Sequence, residues 1–301
     1  MKAGSRRVAL NMGRSLRSGY RAGLVVAIIF IVPFASQAAR THGQQYSVIA
    51  GVDAKNAILS SRDIIVRVDN FTAPATAINA SPEIPRNVAI VLETEPDQAK
   101  VLSKEKDLAI ALINEMADSG TSFTIASAGI SPKIHTATPD RSVATELVRG
   151  TTGNLAPNAN VTIYDAIGSA IRAISFSPGI RVVIFIGEGN DGGSRLRYSE
   201  LRSLAESNQI AFYAALVADH SLRGTKAILR YGWNLRELAS DAAGIFLENP
   251  ETPKATRRLS ENVRSLRLIA FEIPSLRSGR HNISISARGK KLRAQKVFVI
   301  P

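Results

Sequence analysis

The sequence predicts an α/β fold: a doubly wound, mostly parallel sheet flanked by helices, with a small accessory β subdomain built from the N- and C-terminal segments. Three observations predict it. Short continuous apolar runs, Val88–Leu92 and Ile180–Ile186 above all, have the look of strands buried on both faces. Amphipathic stretches of helical period alternate with them. Strands that alternate with helices pair in parallel through right-handed crossovers.

Taken in order, residues 46–70 read as short strands, because Asp63–Asp69 partly alternates apolar and polar. Residues 71–86 carry Pro74, Pro82 and Pro85 among small and polar residues, which predicts a linker or meandering loop. Val88–Leu92 is the first core strand. Residues 97–118 follow with helical spacing, Val101, Leu108, Leu112 and Met116 sharing one face, and Gly120 ends the run. Phe123–Ala126 is the next strand. Residues 140–149 read as a helix capped by Asp140. Thr162–Ser175 is amphipathic and stops at Pro178-Gly179. Ile180–Ile186 is the strongest buried strand, 198–207 a helix, and 210–217 another strand. Trp233–Ala243 reads as a helix closed by Gly244, with Trp233 as its packing anchor, and Ile245–Leu247 as a short strand. Leu266–Phe271, His281–Ala287 and Leu292–Ile300 read as antiparallel strands of the accessory part.

The expected organisation is therefore a signal peptide at 1–38, an N-terminal β segment and linker at 39–86, the α/β domain at 87–265 and a basic β segment at 266–301. The first segment is an address. Lys2, Arg6, Arg7, Arg14, Arg17 and Arg21 precede an apolar run at 22–35, and Ser36-Gln37-Ala38 places small residues for a cut after Ala38. Export follows, to the periplasm, the cell surface or the medium. An uncleaved anchor is the alternative, and membrane association is expected in that case alone.

The net charge of +13 invites a nucleic-acid partner, but six of those charges lie in the address. The basic residues near the C-terminus alternate with apolar ones and lack aromatic stacking positions, so a solvated sheet face is expected and nucleic acid is not. Cysteine is absent, which removes disulfides, thiolate metal sites and cysteine nucleophiles. The four histidines are far apart, which excludes the His-Glu-x-x-His arrangement.

In a doubly wound sheet, ligands sit beyond the carboxyl ends of the strands. Three loops should converge there. Glu93-Thr94-Glu95-Pro96-Asp97 alternates three carboxylates after the first core strand. Thr162 opens a helix. Gly187-Glu188-Gly189-Asn190-Asp191-Gly192-Gly193 follows Ile186. Carboxylate and hydroxyl oxygens around one point suit a hard divalent cation, Mg²⁺ or Ca²⁺.

This arrangement resembles the von Willebrand factor A-like domain, and with its export signal and basic β tail the chain is most similar to the acidobacterial von Willebrand factor A-related proteins. In that family a strand ends in Asp-x-Ser-x-Ser, a distant Thr follows, and an Asp lies after the fourth strand. Together they form a metal-ion-dependent adhesion site whose coordination an acidic partner completes. Here Glu93 stands at the first Asp, Glu95 and Asp97 at the two serines, and Glu188 at the later Asp, while Thr162 is unchanged. The resemblance implies metal ligands at Glu93, Glu95, Asp97, Thr162 and Glu188, and partner contacts at Thr94, Asn190, Asp191 and Ser194. Carboxylates in place of neutral serines repel an acidic partner, and Glu is a methylene too long for the strict octahedron of Mg²⁺. The expected outcome is a lost site with solvated acids at the loop edge. A remodelled cation site is the alternative.

The function expected is a non-enzymatic, adhesion-type protein-interaction module with an unidentified protein partner. The alternative is a nucleotide-dependent or hydrolytic enzyme using the Gly187–Gly193 loop. Gly187-x-Gly189-x-x-Gly192 with Asp219 resembles a dinucleotide fingerprint, and Ser194, His220 and Asp191 could be drawn as a triad. The acids would repel a pyrophosphate, and no Gly-x-Ser-x-Gly elbow is present. Oligomeric state is not read from the sequence.

Overall fold

The computed structural model describes residues 43–52, 60–79, 83–94, 99–153, 160–217 and 226–300. The expected signal peptide, His42, Glu95, Asp97, Asp219 and His220 lie outside them.

The core is a six-stranded mixed sheet. Its strands are β4 (Arg86–Glu93), β5 (Thr121–Ala128), β6 (Lys133–Ile134), β7 (Ile180–Gly187), β8 (Ile210–Leu216) and β9 (Phe246–Glu248), in the order β6-β5-β4-β7-β8-β9. All neighbours pair in parallel except β6, which runs antiparallel to β5. Every residue of β4 and β8 is buried. The period of two divides their side chains between two apolar cores. Val88, Ile90 and Leu92 face one core, with α1 (Ala99–Met116), α2 (Arg141–Gly150) and α6 (Thr252–Arg264). Ala89 and Val91 face the other, with α3 (Ile163–Ile174), α4 (Tyr198–Ser207) and α5 (Lys226–Asp241). Asp140 caps α2 as expected, its carboxylate accepting from the Ser142 and Val143 amides.

The second sheet is antiparallel throughout. It consists of β1 (Gln44–Gly51), β2 (Ile64–Val68), β3 (Phe71–Asn79), β10 (Leu266–Ile273), β11 (Gly279–Ala287), β12 (Lys290–Lys291), β13 (Arg293–Ala294) and β14 (Val297–Ile300), in the order β12-β11-β2-β3-β10-β1-β13, with β14 also on β11. Residues 290–300 therefore pair with β11 through β12 and β14, and with β1 through β13. One short segment pairs with part of both margins, which shortens the exposed edges.

This sheet is larger than the small subdomain expected, and it shares the main core. In β1, Val48 and Ala50 enter the second sheet's own core, whereas Ile49 between them enters the core of α1, α2 and α6. Likewise Leu266 in β10 faces the α/β core, and Ile269, Phe271 and Ile273 face away from it.

Three expectations are corrected. Residues 71–79, read as part of a loop, form β3, an interior strand. Pro74 is tolerated because pairing with β10 stops at Ala75, beside a bulge, so its missing N–H falls where that ladder ends. Residues 252–264, which gave no helix signal, form α6, with Pro253 in its first turn and Ala255, Leu259 and Val263 buried at four-residue spacing. Helix α5 starts at Lys226, seven residues before Trp233. Trp233 itself is 66% exposed and anchors nothing. Leu235, Leu238 and Ala239 bury that helix instead.

Candidate functional site

The carboxyl ends of β4, β5 and β7 and the N-terminus of α3 meet, as the topology requires. The four segments are tied directly to one another. From β4, the Thr94 hydroxyl donates to the Ala128 carbonyl at 2.7 Å. From β5, the Gly129 carbonyl accepts both the Thr162 amide, at 2.9 Å, and the Thr162 hydroxyl, at 2.8 Å. Glu93, 1% exposed, reaches across to the β7 loop, where one carboxylate oxygen accepts the Gly189 amide at 2.8 Å. Gly189 has φ +83°, a conformation that costs glycine nothing.

Asp191 binds the β7 loop to α3. Thr162 sits at the N-cap of that helix, but its side chain makes no capping bond. Asp191 supplies one from outside the helix. Its Oδ1 accepts the Ile163 amide at 2.8 Å, the Tyr164 amide at 3.4 Å and the Ser194 hydroxyl at 2.5 Å. The Ser194 oxygen accepts the Asp165 amide at 3.1 Å. Asp165 answers from α3, taking the Leu196 amide at 2.8 Å and the Arg195 amide at 3.0 Å. Helix and loop thus cap each other, and the helix's positive end faces a carboxylate. Burial pushes the Asp191 carboxyl above its ordinary value, against the pull of the Ser194, Tyr164 and Ile163 donors.

The sequence-derived candidates therefore divide. Glu93, Thr162 and Glu188 lie together and are buried, as are Thr94 and Asp191. Asn190 and Ser194 are half-buried. Of the solvated acids expected at a loop edge, the two that are described, Glu93 and Glu188, are instead interior. For Glu93 and Asp191 the reason is local: backbone N–H groups bond to one oxygen of each, and a buried carboxylate needs such partners. Thr94 and Asp191, expected to touch a partner, are turned inward. Asp165 was missed as a positioning residue. Its place in the first turn of the threonine helix, opposite the 194–196 amides, was the available signal.

A metal of the kind the fold family holds here does not fit the described residues. No group of three or more acidic or histidine side chains gathers among them. One Glu93 oxygen and the Asp191 oxygen are already committed to N–H and O–H donors. A Cβ on Gly187 would lie 2.5 Å from both Cβ and Oε2 of Glu93, so the longer acid fills the space that a side chain at 187 would need.

Two apolar side chains adjoin this face. Ile130, 54% exposed, follows Gly129. Trp233 precedes Asn234, whose amide donates to the Tyr164 hydroxyl at 2.9 Å, and Leu235, which packs beside Gly189.

Neither a family model nor a curated protein matches the sequence. Three of the solved structures similar to it illustrate the likeness. One is the conserved hypothetical protein BatB from Bacteroides thetaiotaomicron, at 19% identity over 59% of this chain and 96% of that one, with a TM-score of 0.48. Another is a von Willebrand factor type A protein from Catenulispora acidiphila, at 10% identity over 88% and 74%, with a TM-score of 0.49. The third is proximal thread matrix protein 1 from the mussel byssus, solved with a zinc-occupied MIDAS motif, at 14% identity over 69% of this chain and 50% of that one, with a TM-score of 0.50. The mussel likeness shows a shared fold and no more, an α/β fold of the von Willebrand factor A type. No helix among the described residues is long and apolar enough to cross a membrane.

Proposed function

We propose that the chain is a non-enzymatic protein-interaction module, exported by residues 1–38, that binds its partner through the loop face above β4, β5 and β7 without a metal ion. The observation that carries this reading is a loop face cross-tied by hydrogen bonds, with exposed apolar residues next to its members in sequence. Loops 93–94, 128–130 and 187–197 are cross-tied by hydrogen bonds, so little ordering entropy is left to lose on binding. Ile130 and Trp233 stand beside it, 54% and 66% exposed, and tryptophan is among the residues that dominate interface energies. The fold shared with the mussel protein supports the class of module. Its zinc-occupied motif is not carried over, because Glu93, which stands at the family's first Asp, is engaged by the chain's own Gly189 amide.

The enzyme alternative is disfavoured by the same contacts. A pyrophosphate would seek the amides at a helix N-terminus, and those of α3 are taken by Asp191 and Ser194. The Ser194 hydroxyl donates to a carboxylate that is itself capping a helix, which leaves it badly placed as a nucleophile.

Site-specific photo-crosslinking in cells making the full-length protein tests the proposal. Probes at Ile130 and Trp233 should yield one discrete adduct. A probe at Arg258, on the exposed side of α6, should yield none. An adduct from Arg258 with none from the other two would move the binding face elsewhere. Nucleotide that stays with the purified protein would favour the enzyme.

A further inference from the structure

We propose that Glu93, bonded to the Gly189 amide within the space that Gly187 leaves open, does the tethering that a bound cation would do, so that the loop face is assembled with no metal at all. A cation held between three loops acts by giving them a common partner. Here the same loops are already linked, directly or through β5. Glu93 joins β4 to the β7 loop. Thr162 joins α3 to β5 through the Gly129 carbonyl. Asp191, Ser194 and Asp165 join α3 to the β7 loop through five backbone amides. Thr94 joins β4 to β5.

Glu93, which departs from the family pattern, and Gly187 explain each other. Glutamate is one methylene longer than aspartate, and its carboxylate therefore extends over residue 187. Glycine is the residue that admits it. Any Cβ there would stand 2.5 Å from Glu93 Cβ, 2.5 Å from Glu93 Oε2 and 2.8 Å from the Phe185 ring, separations that packed side chains do not adopt. Glu93 and Gly187 thus form one fitted unit. A cation entering at this point would have to draw the Glu93 carboxylate off the Gly189 amide, leaving that N–H without its acceptor.

This inference concerns how the face is held, not what it binds, and its test reads stability alone, whereas the crosslinking reads partner contact. The full-length protein is unfolded thermally in chelator and in Mg²⁺, Ca²⁺, Mn²⁺ or Zn²⁺, beside Gly187→Thr, Glu93→Asp and the double variant. The parent should unfold at the same temperature in every solution. Gly187→Thr should fall by about 5 °C or more, as overpacking does in a chain of this size. Glu93→Asp should fall less, and the double variant should regain part of the loss of Gly187→Thr, because the shorter acid withdraws the Oε2 contact while those with Cβ of residue 93 and the Phe185 ring remain. Should Gly187→Thr not fold, Gly187→Ala takes its place, since its methyl meets the same atoms. A cation that raises the parent's unfolding temperature over chelator overturns the proposal. So does a residue-187 variant as stable as the parent, or a double variant that recovers nothing.

Discussion

Carboxylates hold two regions of this molecule together, and they do so in opposite ways. At the loop face, Glu93, Asp191 and Asp165 bond to backbone amides, with one serine hydroxyl among the donors. At the seam between α4, α5 and the C-terminal segment, the acids meet cations. Glu206 is engaged by Arg202 and Arg280, and Asp241 by Arg202 and Lys296. Both Glu206 and Asp241 are largely shielded, at 8% and 11% side-chain exposure, while their cationic partners are 31–54% exposed. Backbone donors are fixed in place and carry no counter-ion atmosphere. Flexible cations do, and their contribution is screened by salt. The loop face should therefore be rigid and indifferent to ionic strength, and the seam adjustable and sensitive to it.

Removing Asp191 attacks the first half of that contrast and has the largest expected effect. Asp191→Ala strips α3 of its cap and leaves the Ile163 and Tyr164 amides and the Ser194 hydroxyl short of an acceptor in a buried site. A lost cap costs about 1 kcal/mol and a lost bond to a charged acceptor about 1.5–3, so urea unfolding should show a loss of roughly 2–4 kcal/mol. Asp191→Asn keeps an acceptor oxygen at the same place and removes a charge that burial disfavours. It should lose under about 1 kcal/mol. If the two variants fall equally, the charge matters and the geometric account of the cap is wrong. Added salt should leave either loss unchanged.

Arg202→Ala tests the seam. The guanidinium contacts Glu206, Glu237 and Asp241, at 3.1, 3.1 and 2.8 Å. Arg280 and Lys296 remain to cover two of these acids, so no buried charge is stranded. The loss should be about 1 kcal/mol at low salt and should shrink in 1 M NaCl, where the screening length is near 3 Å. A loss independent of salt would erase the distinction between the two regions.

How much of this was legible in the sequence follows from what each signal encodes. β4, β7 and α3 were legible because a continuous apolar run or a 3.6-residue period reports burial directly. β3 was not, because its residues are small and Pro74 argues against a strand. Only the bulge beside β10 makes room for it. α6 was hidden by charge: three buried apolar positions, Ala255, Leu259 and Val263, among exposed arginines make a weak apolar stripe, although Pro253 after Glu251 was a usable start signal. At the site, the convergence of Glu93, Thr162 and Glu188 was legible from topology. The partners of each acid were not. Spacing places a carboxylate at a loop, and only three-dimensional proximity decides whether it meets a cation, water or the amides of Gly189 and Ile163. Gly187 was read as one of several loop glycines. Its particular meaning lies in the side chain of a residue on another strand, which no local pattern contains.

The smallest expected effect is a pH response in the second sheet, at a site that combines the two modes. His281 in β11 faces two acceptors. Nδ1 lies 2.7 Å from an Asp69 carboxylate oxygen in the β2–β3 turn, and Nε2 lies 2.8 Å from the Arg277 carbonyl. A carbonyl and an ionised carboxylate can only accept, so holding both contacts as hydrogen bonds at once takes a proton on each ring nitrogen, the cationic form. The Asp69 contact, with the Arg277 carbonyl second, holds the His281 pKa above its ordinary value, and the His281 and Asn282 donors hold that of Asp69 below its own. The signs follow. A raised histidine contributes stability that is complete below its unfolded pKa, near 6.5, and is lost as pH rises through the folded value. A lowered carboxylate contributes above its unfolded value, near 3.8, and loses that contribution as pH falls through the folded one. The clamp is therefore strongest between about pH 4.5 and 6.5. Its His281 part should fade above that window, with a total change under about 1 kcal/mol for so accessible a pair. His281→Gln, which can donate to one acceptor but not to both, should flatten the stability profile between about pH 6 and 8 and leave the acid limb in place. An unchanged profile would mean that the ring is neutral in the folded protein, and the β2–β3 turn would then be held by Asp69 and the Asn282 amide alone.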